Sequence, residues 1–89
     1  MIEHHITIIN KLGLHARAAA KLVSTASAYS SKIKVAYNGN EVDGKSIMSV
    51  MMLAASKGCE LHLKVDGEDE SAALNAIIEL INNRFDEDE

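Results

Sequence analysis

A two-layer α+β sandwich with element order β-α-β-β-α-β-α is the fold this sequence predicts. Three observations lead there. Lys32-Ile33-Lys34-Val35-Ala36-Tyr37 and Cys59-Glu60-Leu61-His62-Leu63-Lys64-Val65-Asp66 alternate polar and apolar residues, as strands with one wet face do. Other stretches repeat their apolar residues at helical spacing. Asn38-Gly39 is the dipeptide best suited to a type I′ turn between two strands. If each strand keeps one face in water, the helices must share the other face of the sheet. The result is an open-faced sandwich of one domain over residues 1–89.

Taken in order, Ile2 to Ile9 places Ile6 and Ile8 on one face and Thr7 on the other, which predicts the first strand. From about Ala16 to Ala28, Ala19, Leu22, Val23 and Ala26 form a core-facing helical stripe. Lys32–Tyr37 and Asn40–Asp43 are the two arms of a hairpin. A second helix is expected from Ser46, a plausible N-cap, to about Ala55, with Gly58 as the stop. Its apolar residues go nearly all the way round, so some must stay outside. The fourth strand should turn Cys59, Leu61, Leu63 and Val65 inward. Leu74, Ile77, Ile78, Ile81 and Phe85 then hold helical spacing over three turns and predict a third helix across the sheet.

Eighty-nine residues, 47% of them hydrophobic, are enough for one small core but leave no room for a deep multi-substrate active site. The single cysteine, Cys59, excludes an internal disulfide and suits a reducing cytoplasm. No stretch approaches the length of a membrane span, and Met1-Ile2-Glu3-His4-His5 lacks a basic segment leading into an apolar run, so neither insertion nor export is expected. Of the thirteen acidic residues four, Asp86 to Glu89, sit together at the C-terminus, which leaves nine against nine Lys plus Arg. The body is balanced, which favours neither nucleic acid nor an anionic membrane. The acidic end itself is read as a solvated tail.

The chemistry is concentrated in Asn10-Lys11-Leu12-Gly13-Leu14-His15-Ala16-Arg17 and the alanine-rich run that follows. Gly13 marks a loop, and His15 and Arg17 fall where a helix begins. The first N–H groups of a helix have no intrahelical partner and carry partial positive charge, so this end attracts anions. Neutral imidazole is a nucleophile near neutral pH. A phosphoryl group taken up by His15 would sit among those amides and the Arg17 guanidinium, held but still transferable. The plainer alternative is a loop histidine followed by a solvated arginine.

Gly13-Leu14-His15-Ala16-Arg17, together with Gly44-Lys45-Ser46-Ile47-Met48-Ser49-Val50-Met51 and Lys57-Gly58, resembles the HPr family of histidine-containing phosphocarriers, and the likeness runs over essentially the whole chain. The resemblance implies an antiparallel sheet with the fourth strand between the first and second. It implies a phosphoryl group received on Nδ1 of His15 from Enzyme I, steadied by Arg17 and passed to a IIA-type acceptor of the phosphotransferase system. It also implies that Ser46 is the serine modified by HPr kinase/phosphorylase, and that Ile47, Met48 and Met51, rimmed by Arg17, Lys21 and Lys45, are the docking patch. Two departures stand out. Ala18 replaces a usual proline, with little effect expected because alanine is also acceptable in a first turn. Ser24 and Ser27 stand where some members carry lysines, which weakens steering toward an acidic partner.

The expected protein is therefore a monomeric cytoplasmic carrier, a reactant rather than an enzyme, that needs no bound metal or cofactor. A regulatory interaction module, in which Ser46 and the apolar patch matter and His15 is incidental, is the alternative. Asn82-Asn83-Arg84-Phe85-Asp86-Glu87 resembles members of the nitrogen-related branch, whereas the serine region resembles regulated sugar-transport members. Gly39 to Ser46 formally fits a phosphate-loop pattern, but the hairpin turn and short strand occupy those residues. His4 and His5 should point to opposite faces of their strand and His62 to the wet face, so no metal cluster is expected. Cys59 is read as a small core residue.

Overall fold

A computed structural model describes residues 1–87. The elements follow the expected order: β1 (Ile2–Thr7), α1 (Ala16–Ser27), β2 (Lys32–Tyr37), β3 (Asn40–Asp43), α2 (Ile47–Met52), β4 (Glu60–Asp66) and α3 (Glu70–Asn82), followed by a 3-10 turn at Arg84–Asp86. The sheet order is β1-β4-β2-β3 with every neighbouring pair antiparallel. β4 therefore lies between β1 and β2, as the resemblance implies.

Register explains the two faces. Ile6 opposes Leu61 and Val35 opposes Leu63, so apolar residues of adjacent strands share one face and are buried there under the helices. On the other face His5 opposes His62 with the rings stacked, centroids 4.3 Å apart, and Lys64 pairs with Glu41 at 2.9 Å. The hairpin turn has positive φ at both Asn38 (53°) and Gly39 (85°), as a type I′ turn requires. From the helices, Ala18, Ala19, Leu22, Ala26, Val50, Ala73, Leu74, Ile77 and Ile81 close the core. Asp69, just before α3, accepts from the Ser30 and Ser31 amides (2.9 and 3.0 Å) and from both serine hydroxyls, which fastens the α1–β2 connection to the start of α3.

The second helix is shorter than its composition suggests. It ends at Met52 rather than near Ala55, because Ala54 turns into the left-handed region (φ 54°) before Gly58 is reached. That turn buries both Leu53 and Ala55, and presents the Ala55 carbonyl to the Leu14 amide. A continuing helix would have used that carbonyl internally. β1 likewise ends at Thr7, although Ile8 stays buried and bonds across to Cys59 O and Gly58 N–H (2.9 and 2.8 Å). Cys59 precedes β4 and is half-buried, hydrogen-bonded through sulfur to the Tyr37 hydroxyl at 3.0 Å, so it lines the core's edge rather than its centre.

Phe85 does not continue the third helix. α3 stops at Asn82, and Arg84, Phe85 and Asp86 all take positive φ, which swings Phe85 back into the core. It is the largest fully buried side chain. This turn also carries the chain back over α1, so the acidic end is not simply solvated: Asp86 is exposed, Glu87 is largely covered, and Asp88 and Glu89 lie outside the described residues.

Candidate functional site

The loop between β1 and α1 is held at several points. Asn10 is completely buried, and its amide donates to the Gly13 carbonyl (2.9 Å) while the Gly13 N–H returns to the Asn10 carbonyl (3.3 Å). Gly13 has φ +65°, and a Cβ there would lie 2.6 Å from the Ala55 carbonyl oxygen and from Ser56 Cα, so glycine is required twice over. Leu14 is buried and its N–H meets that same carbonyl at 2.9 Å. The backbone on the N-terminal side of His15 is thus fixed.

His15 is the N-cap residue of α1, extended at φ −74° and ψ 177°, and its carbonyl accepts the Ala19 N–H at 2.8 Å. Its side chain makes no cap hydrogen bond, and the first turn holds no acidic residue. The N–H groups of Ala16, Arg17 and Ala18 are therefore left without an intrahelical acceptor and form a ready anion site. The ring is neither in the interior nor loose: its side chain is 26% accessible, and Nε2 lies 2.7 Å from Glu87 Oε2. Glu87 Oε1 in turn accepts from the Asn10 amide at 3.0 Å. An ionised carboxylate only accepts, so in the neutral ring this contact favours the tautomer with its hydrogen on Nε2 and its lone pair on Nδ1. A nucleophilic nitrogen beside unpaired amides is an arrangement for receiving a phosphoryl group.

Arg17 is exposed on the first turn, with no hydrogen bond or ion pair to any described residue. Lys21 is otherwise engaged: its ammonium donates to the Phe85 carbonyl at 2.8 Å and lies 3.9 Å from Asp86. Lys45 also serves the fold, donating to the Tyr29 carbonyl at 2.7 Å. Of the three basic residues expected around the patch, Arg17 alone is free of such contacts.

The Ser46 side chain accepts from the Ser49 N–H as expected of an N-cap, at a long 3.4 Å, and its hydroxyl also meets the Ser49 hydroxyl at 3.0 Å. Ile47, Met48 and Met51 are exposed, Met48 by 68%, on a helix that packs against α1. Met52 is more exposed still, and Leu12 and Ile9 add apolar surface on the His15 side. Sequence patterning did not assign these last three to the patch: Leu12 and Ile9 lie outside the helices, where exposure leaves no periodic signal, and Met52 is one of several apolar residues that go round α2.

The remaining motifs stay apart from this site. Gly39 to Ser46 forms the turn, β3 and the cap, with the Gly44 N–H bonded to the Ile33 carbonyl, so no phosphate-cradling loop exists there. His5 is exposed on the wet face beside Glu60 (3.2 Å), while His4 points to the opposite face. Among the described residues no group of three or more His, Cys, Asp or Glu side chains is placed to hold a metal ion, and no helix is long and apolar enough to cross a membrane. The residues that sequence reasoning missed are Asn10 and Glu87. Asn10 reads locally as a turn residue, and nothing local marks Glu87 among four consecutive acids.

Comparison with known proteins identifies the family and the fold. The sequence model of a family described as "PTS HPr component phosphorylation site" matches residues 2–83. A phosphocarrier protein HPr of Pseudomonas aeruginosa is 66% identical over 85 residues, covering 94% of each chain, and one from Xylella fastidiosa is 54% identical over 99% of each. A solved structure of HPr-C-His from Thermoanaerobacter tengcongensis superposes with a TM-score of 0.96 at 45% identity over the whole of both chains.

Proposed function

The chain belongs to the HPr family of phosphocarriers of the phosphotransferase system, and from that premise we propose that His15 accepts a phosphoryl group from Enzyme I and hands it to a IIA-type acceptor. The observation that carries this reading is the position of the His15 ring: partly accessible, at the start of α1, with its Nε2 engaged and three amides unpaired beside it. The Nδ1 lone pair attacks phosphorus in line. Arg17 and the first-turn N–H groups neutralise the phosphoryl oxygens in the adduct. The protein is consumed and restored by two partners in turn, so it acts as a stoichiometric carrier rather than an enzyme.

Docking is assigned to Ile47, Met48 and Met51, whose exposed side chains adapt to more than one partner, with Arg17, Lys21 and Lys45 supplying positive charge around them. Ser46 is the regulatory site, a substrate for HPr kinase/phosphorylase. Its partly covered hydroxyl lies next to the patch, so a phosphate there changes the charge that a docking partner meets. The carrier works as a monomer in the cytoplasm, without a cofactor.

The test is incubation with phosphoenolpyruvate, magnesium and Enzyme I. Wild type is expected to form an acid-labile, base-stable adduct, and His15→Ala none. An unmodified wild type overturns transfer and leaves the regulatory-module reading. Incubation with the kinase and ATP should label wild type and not Ser46→Ala.

A further inference from the structure

We propose that His5 and His62, on the face of the sheet away from the helices, form a two-imidazole site for a divalent transition-metal ion of the nickel, copper or zinc class. The site is separate from the His15 loop and does not depend on the carrier reading. The two residues are directly opposed in the antiparallel β1–β4 pair, and their rings stack with centroids 4.3 Å apart and planes 14° from parallel. Strand register fixes this pairing, so the backbone need not move to offer two nitrogens to one ion. Each ring also has a carboxylate beside it on the neighbouring strand: Glu60 Oε1 lies 3.2 Å from His5 Nδ1, and Glu3 Oε1 lies 2.6 Å from His62 Nε2. Metal-ligating imidazoles characteristically give their second N–H to a carboxylate, which orients the ring and makes the ligating nitrogen more basic. An ionised carboxylate only accepts. Glu60 therefore favours a hydrogen on His5 Nδ1 and a lone pair on Nε2, and Glu3 favours a hydrogen on His62 Nε2 and a lone pair on Nδ1.

The His62 ring has an unmet need. Its Nε2 is covered and, although Glu3 is 2.6 Å away, the carboxylate is off the line that a hydrogen bond requires. A covered polar atom without an aligned partner costs free energy. Parallel rings also have parallel lone pairs, so two nitrogens meet one ion only when the stack opens. Rotation about Cβ–Cγ, a torsion with broad minima in histidine, does this. It turns the two lone pairs toward an ion about 2.0 Å from each nitrogen and lets the His62 Nε2–H align with Glu3. Both rings have room to turn, since His5 is exposed, His62 is partly accessible, and they line an open depression of about 500 Å³.

Charge and ligand chemistry set the class of ion. Glu3, Glu41 and Glu60 stand around the pair against Lys34 and Lys64, and Lys64 is held by Glu41 at 2.9 Å, so a cation meets net negative charge. Because no three acidic, histidine or cysteine side chains converge there among the described residues, water fills the remaining positions. Two neutral imidazoles select Ni2+, Cu2+ and Zn2+ over Mg2+ and Ca2+, which prefer oxygen.

The experiment uses the full-length chain and Ni2+, which is paramagnetic and does not oxidise the Cys59 thiol. At a pH where both rings are neutral, calorimetric titration of wild type should show saturable binding. His5→Gln and His62→Gln should each weaken it about tenfold or more, because a single imidazole loses the effective concentration that the second one supplies. The double variant should bind little more weakly than either single one, the mark of two ligands on one ion. Both positions lie on the wet face, and amide spectra of the variants verify that the fold is kept. Glu3→Gln combined with Glu60→Gln should weaken binding about tenfold with both imidazoles present. In 15N spectra, Ni2+ should broaden His5, His62 and their strand neighbours first, and Mg2+ should leave them unchanged. Absence of saturable Ni2+ binding, wild-type affinity in both single variants, purely additive losses in the double variant, or broadening centred on His15 or the amino terminus overturns the inference. Labelling by Enzyme I judges the carrier reading separately, and its failure leaves these results as they are.

Discussion

The Leu14 amide donates to the Ala55 carbonyl over 2.9 Å, and this one hydrogen bond joins the loop that carries His15 to the chain leaving α2. Gly13 makes that approach feasible, since any Cβ would sit 2.6 Å from the same oxygen. Gly13→Ala combines this clash with a left-handed backbone, and should destabilise the domain by about 2–4 kcal/mol. Urea denaturation measures the loss, and an unchanged midpoint would mean that the loop is not clamped here.

Arg17 separates binding chemistry from folding. It is exposed and has no partner among the described residues, so Arg17→Ala should leave the unfolding midpoint where it is. Losing a guanidinium that meets the phosphoryl oxygens should slow phosphorylation of His15 roughly 100-fold. Stopped-flow transfer from phosphorylated Enzyme I reads the rate, and wild-type kinetics would remove Arg17 from the site.

The patch on α2 should respond in the opposite parameter. Met48 and Met51 are exposed, so replacing both with glutamate should change stability by no more than about 0.5 kcal/mol per site. Docking suffers instead. KM for Enzyme I is expected to rise about tenfold or more while kcat holds, because surface contacts act on encounter rather than on phosphorus. A KM unaffected by both charges would move the docking surface elsewhere.

Asp69 gives the fold a pH dependence of its own. Hydrogen bonds from Ser31 first and then Ser30 hold its carboxyl down at about 2, below its ordinary value of 3.8. A carboxyl depressed in the folded state stabilises it above the unfolded pKa, and that contribution fades as pH falls from about 4 toward about 2. Asp69→Asn should therefore melt lower than wild type at pH 6, and the two should converge near pH 2. Parallel melting curves across that range would show that the serine clasp adds nothing.

Phe85 couples stability to the site. It is wholly buried at the end of a turn with three successive positive φ values, and Phe85→Ala should cost about 3–5 kcal/mol. The same turn positions Glu87, so the ring nitrogen shifts of His15 should move toward those of Glu87→Ala. Thermal unfolding and 15N spectra check the two effects separately.

What the sequence determined by itself was local or periodic. Alternation in Lys32–Tyr37 and Leu61–Val65, the Asn38-Gly39 turn, the α1 stripe and the cap at Ser46 each follow from neighbours within a few residues, and each survives in the structure. The His15 loop was legible for the same reason, because glycine, imidazole and arginine lie within five positions of one another. The extent of α2 was not: helix propensity in Leu53-Ala54-Ala55 yields to a distant amide, Leu14, that needs the Ala55 carbonyl. Nor was the fate of the C-terminus. Phe85 at helical spacing and an acidic run at the end describe a longer helix and a wet tail, until burial of that ring bends the chain and brings Glu87 onto His15, 72 positions away. Such contacts depend on how the core closes, and a carboxylate in an acidic run carries no local mark of the partner that folding gives it.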